Sequence, residues 1–136
     1  ISNAKGVERA RVFGHGKVIP CERWERMKIQ TDRTIDFIRR HRDDPFYVRL
    51  FPNDVHDAHV PHPGSVDKFK SVSEDPYVRN FFAVFKEMDK QIGRVISTID
   101  ELNLGKKTLI LFTSDNGPTD WPKKYLTGPP AGFTGP

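Results

Sequence analysis

The sequence has little cysteine, no long apolar run and no basic stripe, and each shortage narrows the classes of protein it fits. Cys21 is the only cysteine, so these 136 residues hold neither an internal disulfide nor a zinc site built from several thiolates. No apolar run approaches the length of a membrane-spanning helix, and residues 1–20 contain no signal-peptide core. Lys and Arg exceed Asp and Glu only by 22 to 18, without the aromatic interleaving of a nucleic-acid groove. The remaining expectation is a soluble globular piece that binds neither nucleic acid nor a membrane core.

The apolar pattern predicts two helices and two strands. A helical period runs from about Trp24 to His41, and a longer one from about Pro76 to Asn103, where Asp75 can serve as the N-cap and Gly105 as the stop. Residues 46–51 and 108–113 are short apolar runs of the kind that form strands.

This order of elements predicts an α/β fold, with part of a mixed, mostly parallel sheet flanked by helices. A strand, a long helix and a second strand form a βαβ unit whose strands are parallel. We expect an irregular lead-in over residues 1–22, a helix–strand–loop–helix–strand core over 23–118, and a loop tail over 119–136.

Polar side chains follow both predicted strands. Ligands of parallel α/β sheets bind outside the carboxyl ends of the strands, so both clusters fall at the expected place. Asp115 and Asn116 offer hard oxygen donors suited to Ca²⁺ or Mg²⁺, although Asp-Asn-Gly is also ordinary turn chemistry. His56 and His59 suit a transition metal, a hydrogen bond to an anionic oxygen or proton transfer, or are plain polar loop residues.

Four blocks of sequence, in order, resemble the sulfatase branch of the alkaline phosphatase superfamily. The first joins T-D-R-T-I-D-F-I at 31–38 to P-F-Y at 45–47, and the second is N-D-V-H-D-A-H-V-P at 53–61. The third is M-D-K-Q-I-G-R-V at 88–95, and the fourth is L-I-L-F-T-S-D-N-G-P at 109–118. Together they span roughly residues 30 to 118.

The resemblance implies a sulfuric ester hydrolase that uses a divalent metal and a formylglycine nucleophile. It assigns Asp115 and Asn116 to a Ca²⁺ site, with Mg²⁺ as the other candidate ion. It assigns leaving-group assistance to His56 and substrate binding to His59, with His59 as the rival because some members carry the functional histidine in an H-x-P setting. The implied substrate is a small-molecule or glycan sulfate ester, and relatives are secreted, periplasmic or lysosomal.

The sequence also departs from the family pattern. Cys21 does not lie in the C/S-x-P-x-R motif that yields formylglycine, and the paired aspartates that complete the metal site have no match. Lys123 and Lys124 lie outside the later G-K-G motif, which we expect beyond Pro136. We therefore expect an internal fragment of the catalytic domain that is inactive by itself. Two alternatives stay open: a phosphonate or phosphate ester hydrolase of the same superfamily, and a non-catalytic metal-binding α/β module.

Overall fold

The computed structural model describes residues 20–56 and 58–115, and two α-helices form their framework. We call them α1, Arg26–Arg40, and α2, Pro76–Glu101. Three short 3₁₀ turns accompany them, at Arg23–Glu25, Val66–Phe69 and Gly105–Lys107.

Helix α1 confirms the first predicted helix. The 3₁₀ turn ahead of it is closed by the Glu22 backbone N–H, which donates to Glu25 Oε2 at 2.9 Å. Exposed i,i+4 ion pairs support the outer face, including Lys28 Nζ to Asp32 Oδ2 at 2.6 Å. Arg39 and Arg40 occupy the last turn, where cations suit the negative end of the helix dipole.

Helix α2 confirms the second predicted helix and its start. Asp75 caps the N-terminus, since its Oδ1 accepts from the Tyr77 N–H at 2.8 Å, and Pro76 fills the first helical position. The predicted stop at Gly105 is wrong, because the left-handed residue is Asn103, with φ 57°. The Leu104 N–H bonds to the Ile99 carbonyl and the Asn103 N–H to the Asp100 carbonyl, which is the Schellman pattern.

The two helices pack on each other and bury the core of the described residues. On α1, Met27 and Ile38 are buried, and Met27 is 0% exposed. On α2, Ala83, Val84 and Met88 are buried. The buried apolar side chains as a set are Met27, Ile35, Ile38, Ala83, Val84, Met88 and Ile99. The apolar stripe that each periodic pattern predicted is therefore the surface along which the helices meet.

A polar chain of contacts crosses the same helix pair. Arg94 on α2 donates from Nη1 to Gln91 Oε1 at 2.7 Å, and its Nη2 lies 2.7 Å from Asp32 Oδ1 on α1. Gln91 is only 1% exposed, and its side-chain amide donates in turn to Glu87. Of these bonds only the one between Arg94 and Asp32 joins the two helices, and the bonds within α2 satisfy the buried Gln91 amide and orient Arg94 toward α1.

The described residues contain no β-strand, so the two predicted strands are not observed there. We call residues 46–51 the first apolar segment and residues 108–113 the second. A strand exists only where a neighbour completes its ladder of backbone hydrogen bonds, and these two segments do not pair with each other. Leu109 is 83% exposed and Leu111 is 81% exposed, which is unusual for side chains of this kind. The helices of the described part are also too short or too polar to cross a membrane.

Candidate active site

The loop that follows the first apolar segment carries three histidines and is anchored to the 3₁₀ turn ahead of α1. We call residues 53–62 the histidine loop; residue 57 lies outside the described residues. Arg23 donates from Nη2 to the backbone carbonyl oxygen of His56 at 2.8 Å. Because this bond joins residues 33 positions apart, it fixes the exposed His56 relative to the helix pair.

His59 is the buried histidine of the loop, with 7% of its surface exposed. Its ring meets Tyr77 and Phe81 of α2 edge-on, with centroid distances of 5.6 and 5.4 Å. Its Nε2 lies 3.0 Å from the carbonyl oxygen of Val55, and a carbonyl only accepts, so Nε2 carries a proton.

Asp54 places a second titratable group in the histidine loop. Burial raises the pKa of this carboxyl above its ordinary value, and the negative charge of Glu87 raises it further. Arg23 and backbone hydrogen bonds act in the opposite direction, but the raised pKa of Asp54 prevails. A half-buried carboxyl with a raised pKa is a feature found in acid–base sites.

The described residues end at Asp115, shortly after the second apolar segment. Asp115 is exposed, and the predicted partner Asn116 lies outside the described residues. Within residues 20–56 and 58–115, no three His, Cys, Asp or Glu side chains converge in the manner of a metal site. The structure therefore joins Arg23 to the His56 backbone and places Arg23 and Asp54 around one small cavity, and the placement of Asp115 on the same rim as the histidines stays a prediction.

Two members of this cluster were not selected from the sequence. Arg23 matters through a bond to a distant backbone carbonyl, and no spacing rule could have shown that bond. The sequence could have indicated Asp54, because this residue lies between the first apolar segment and His56. A carboxylate close to histidines in sequence is a candidate acid or base. Cys21 is exposed at the start of the described residues, which fits its interpretation as an incidental thiol.

Hydrolytic enzymes use imidazoles and carboxyls with a raised pKa for acid–base catalysis, and guanidinium groups for electrostatic catalysis. This part of the chain offers all three, in its histidines, Asp54 and Arg23. The profile of one hydrolase family, Sulfatase, matches residues 24–133. The chain belongs to the sulfatase family. That family has an α/β fold, of which the described residues supply helices.

Several curated sulfatases are similar to the chain. An N-acetylgalactosamine-6-O-sulfatase of Bacteroides thetaiotaomicron is 34% identical over 90 residues, covering 66% of this chain and 16% of that protein. The mouse steryl-sulfatase is 37% identical over 86 residues, covering 63% of this chain and 13% of that protein. The human iduronate 2-sulfatase is 44% identical over 39 residues, which are 29% of this chain and 7% of that protein.

The chain spans about a sixth or less of the length of these relatives. No solved structure matches it.

Proposed function

We propose that the protein containing this chain hydrolyses sulfate esters, and that the chain supplies an internal part of its catalytic domain. The observation that carries the proposal is the family match over residues 24–133, which includes both the histidine loop and Asp115. The three relatives described above are sulfatases that act on different substrates by name, two of them on sugar or uronate units. The proposed substrates are therefore small-molecule or glycan sulfate esters.

We assign the two histidines different tasks. His56 is exposed and its backbone is held by Arg23, and we assign to its ring the protonation of the departing alcohol oxygen. His59 is buried with a proton on Nε2, and we assign substrate binding to it. Its fixed ring orients this part of the loop toward the substrate. Burial raises the pKa of Asp54, which favours the uncharged form of this carboxyl relative to an exposed one.

Asp115 and Asn116 are proposed to hold a calcium ion, with magnesium as the alternative. A carboxylate and an amide oxygen match the hard-donor preference of both ions, and the exposed Asp115 carboxylate is accessible for coordination. Two side chains cannot fill six or more coordination positions, so the other ligands must come from outside this pair. When bound, such an ion neutralises charge that develops on the sulfate oxygens.

The nucleophile is proposed to be a formylglycine in another part of the protein. Cys21 is not a candidate for it, because Glu22, Arg23 and Trp24 follow it where the conversion motif needs proline and arginine at defined positions. The role of this chain is then to bind and orient the ester and to protonate the leaving group.

Hydrolysis of 4-nitrophenyl sulfate by the whole protein tests the proposal. Asp115→Ala is expected to reduce kcat by about 10²–10³-fold, the usual cost of removing one charge-stabilising contact, and to lower the bound calcium measured by atomic emission. Asp43→Ala is the matched control, because Asp43 is an exposed carboxylate on another loop, and it is expected to change neither quantity. Full activity and full calcium content in Asp115→Ala would remove Asp115 from the metal site.

A further inference from the structure

The 3₁₀ turn ahead of α1 contacts the histidine loop at two separate histidines. Arg23 donates from Nη2 to the carbonyl oxygen of His56 at 2.8 Å, and the ring of Trp24 meets the ring of His62 edge-on at 4.5 Å. The turn leads directly into α1, where Met27 is fully buried in the core between the helices. The position of the helix pair is therefore passed to the histidine loop through this turn.

The two peptide groups that flank His56 are held by different elements. The carbonyl oxygen of Val55, just before His56, accepts from Nε2 of the buried His59 at 3.0 Å. The carbonyl oxygen of His56 itself accepts from Arg23. Because each peptide group is planar, holding the carbonyls on both sides of a residue restricts its φ and ψ, and with them the direction of its Cα–Cβ bond. Arg23 therefore helps to set the direction in which the exposed His56 side chain leaves the backbone.

The space between Arg23 and the histidine loop is too small for a substrate. Arg23, Asp54 and Val60 line a cavity of about 10 Å³. One water alone needs about 10–15 Å³, so no sulfate ester fits there. Burial raises the pKa of Asp54, and the positive charge of Arg23 opposes that rise, which places the guanidinium close to a second loop residue. On this side Arg23 acts on the loop and not on a bound ester.

We propose that Arg23 is a positioning residue for leaving-group protonation: by holding the His56 backbone from the turn ahead of α1, it directs the His56 imidazole toward the departing oxygen. A guanidinium suits this task, because a hydrogen bond from a charged donor is shorter and stronger than one between neutral groups. This inference rests on the proposed sulfate ester hydrolysis, to which it adds a residue that acts through His56 without touching the substrate.

The test is a double-mutant cycle in the whole protein, assayed with phenyl sulfate and with 4-nitrophenyl sulfate. Arg23→Ala is expected to reduce kcat for phenyl sulfate by about 10–10²-fold, the cost of misplacing a catalytic group, and to leave KM unchanged. The loss is expected to be smaller for 4-nitrophenyl sulfate, whose leaving group departs more readily without a proton. In a His56→Ala background, which keeps the backbone carbonyl but lacks the ring, Arg23→Ala is expected to cause no further loss of kcat.

Arg40→Ala is the matched control, because Arg40 donates from Nε to Asp36 at 3.0 Å within α1, at the opposite end of that helix from Arg23. It is expected to change no kinetic value. Equal losses of kcat from Arg23→Ala with and without the His56 ring, or equal losses for the two substrates, would overturn the inference, since Arg23 would then act independently of His56. If Arg23→Ala does not fold, Arg23→Lys takes its place with a smaller expected loss, because lysine keeps a charged donor but not the planar guanidinium.

A spectroscopic measurement separates failure of this inference from failure of the proposed function. If the unmodified protein hydrolyses no sulfate ester, the proposed function fails, and the carbonyl ¹³C resonance of His56 still decides whether Arg23 holds the loop. That resonance is expected to move in Arg23→Ala, because the carbonyl loses its hydrogen bond, and to stay in place in Arg40→Ala. An unmoved resonance in Arg23→Ala would overturn the inference whatever the activity.

Discussion

The two apolar segments of this chain resemble each other in sequence and differ in what holds the residues that follow them. After the first segment, Arg23 fixes the His56 backbone, and the rings of Tyr77 and Phe81 enclose His59. After the second segment, Asp115 is exposed, and Leu109 and Leu111 before it are exposed as well. The histidine loop is thus held by contacts within the chain, whereas the described residues supply no such contacts to Asp115 of the proposed metal-binding pair.

The physical reason for this difference is the kind of neighbour that each region needs. The histidine loop is anchored by side chains of helices that form their own backbone hydrogen bonds, so the short chain can supply the anchors. The second apolar segment requires strands on either side and a covered face before its side chains are buried. We therefore expect the side chains of this segment to be buried only in the whole domain.

The largest expected effect concerns the anchored side. In the whole protein, His56→Ala is expected to reduce kcat with 4-nitrophenyl sulfate by about 10²–10⁴-fold, the range for loss of a general acid. His59→Ala is expected to reduce kcat less and to lower the midpoint of thermal unfolding, because it empties a buried ring site against Tyr77 and Phe81.

Imidazole added to the assay separates these roles further. It is expected to restore part of the His56→Ala activity, because a soluble acid can enter an exposed position. A greater loss of kcat in His59→Ala than in His56→Ala would reverse the assignment and make His59 the leaving-group histidine.

A smaller effect is expected from substitutions that compare the helix core with the second apolar segment. Met27→Ala is expected to cost about 2–5 kcal/mol in the free energy of unfolding of the whole protein, because Met27 is fully buried between the helices. Leu111→Ala is expected to cost a similar amount in the whole protein, measured by urea denaturation, although Leu111 is 81% exposed in the described part. The prediction follows from the sheet that we propose to cover it.

Lys106→Ala is the exposed control for both variants, and its cost is expected to stay within about 0.5 kcal/mol. A cost of that size for Leu111→Ala would contradict a buried second strand and leave the exposed segment as the native arrangement.

The helices could be predicted from the sequence, because their information is local. The repeat of apolar residues, the Asp75 cap and Pro76 each act within one or two turns, and the structure confirms the result. The stop at Gly105 was wrong, since Asn103 also tolerates a left-handed backbone and came two positions earlier. The strands depend on pairing with distant residues, so a short apolar run can indicate a strand without the partner that makes it one.

For the site, the sequence predicted which residues to inspect but not how they are held. The spacing of His56 and His59 could not show that one ring is buried and the other exposed, because loop residues have no fixed period. That difference arises from Tyr77 and Phe81, more than fifteen residues later in the chain. Trp24 and Lys68 were likewise unremarkable in sequence, and only packing places them around one cavity.

The smallest expected effect is a pair of opposite pH dependences. Asp54 lies in the anchored loop, and burial with the charge of Glu87 raises its pKa above 3.8. Asp32 lies on α1 within reach of Arg94 of α2, and its hydrogen bonds from Lys28 and Arg94 lower its pKa below 3.8. A raised folded pKa means that charged Asp54 destabilises the fold at neutral pH, and that this cost disappears as the pH falls through the raised value. A lowered folded pKa means that charged Asp32 stabilises the fold above 3.8, and that this contribution disappears as the pH falls through the lowered value.

Asp54→Asn is therefore expected to raise the free energy of unfolding of the whole protein at neutral pH, and Asp32→Asn to lower it. Each change is expected to be about 0.2–1 kcal/mol, because both carboxyls are partly exposed and screened by solvent. Urea denaturation at neutral pH and again near pH 3.8 measures both, and the gain from Asp54→Asn should shrink at the lower pH, where the unmodified carboxyl is protonated in the folded state. If Asp54→Asn instead destabilised the protein at neutral pH, the charged form would be favoured in the whole domain. A cation would then face Asp54 there, and the histidine loop would depend on residues beyond this chain just as the second apolar segment does.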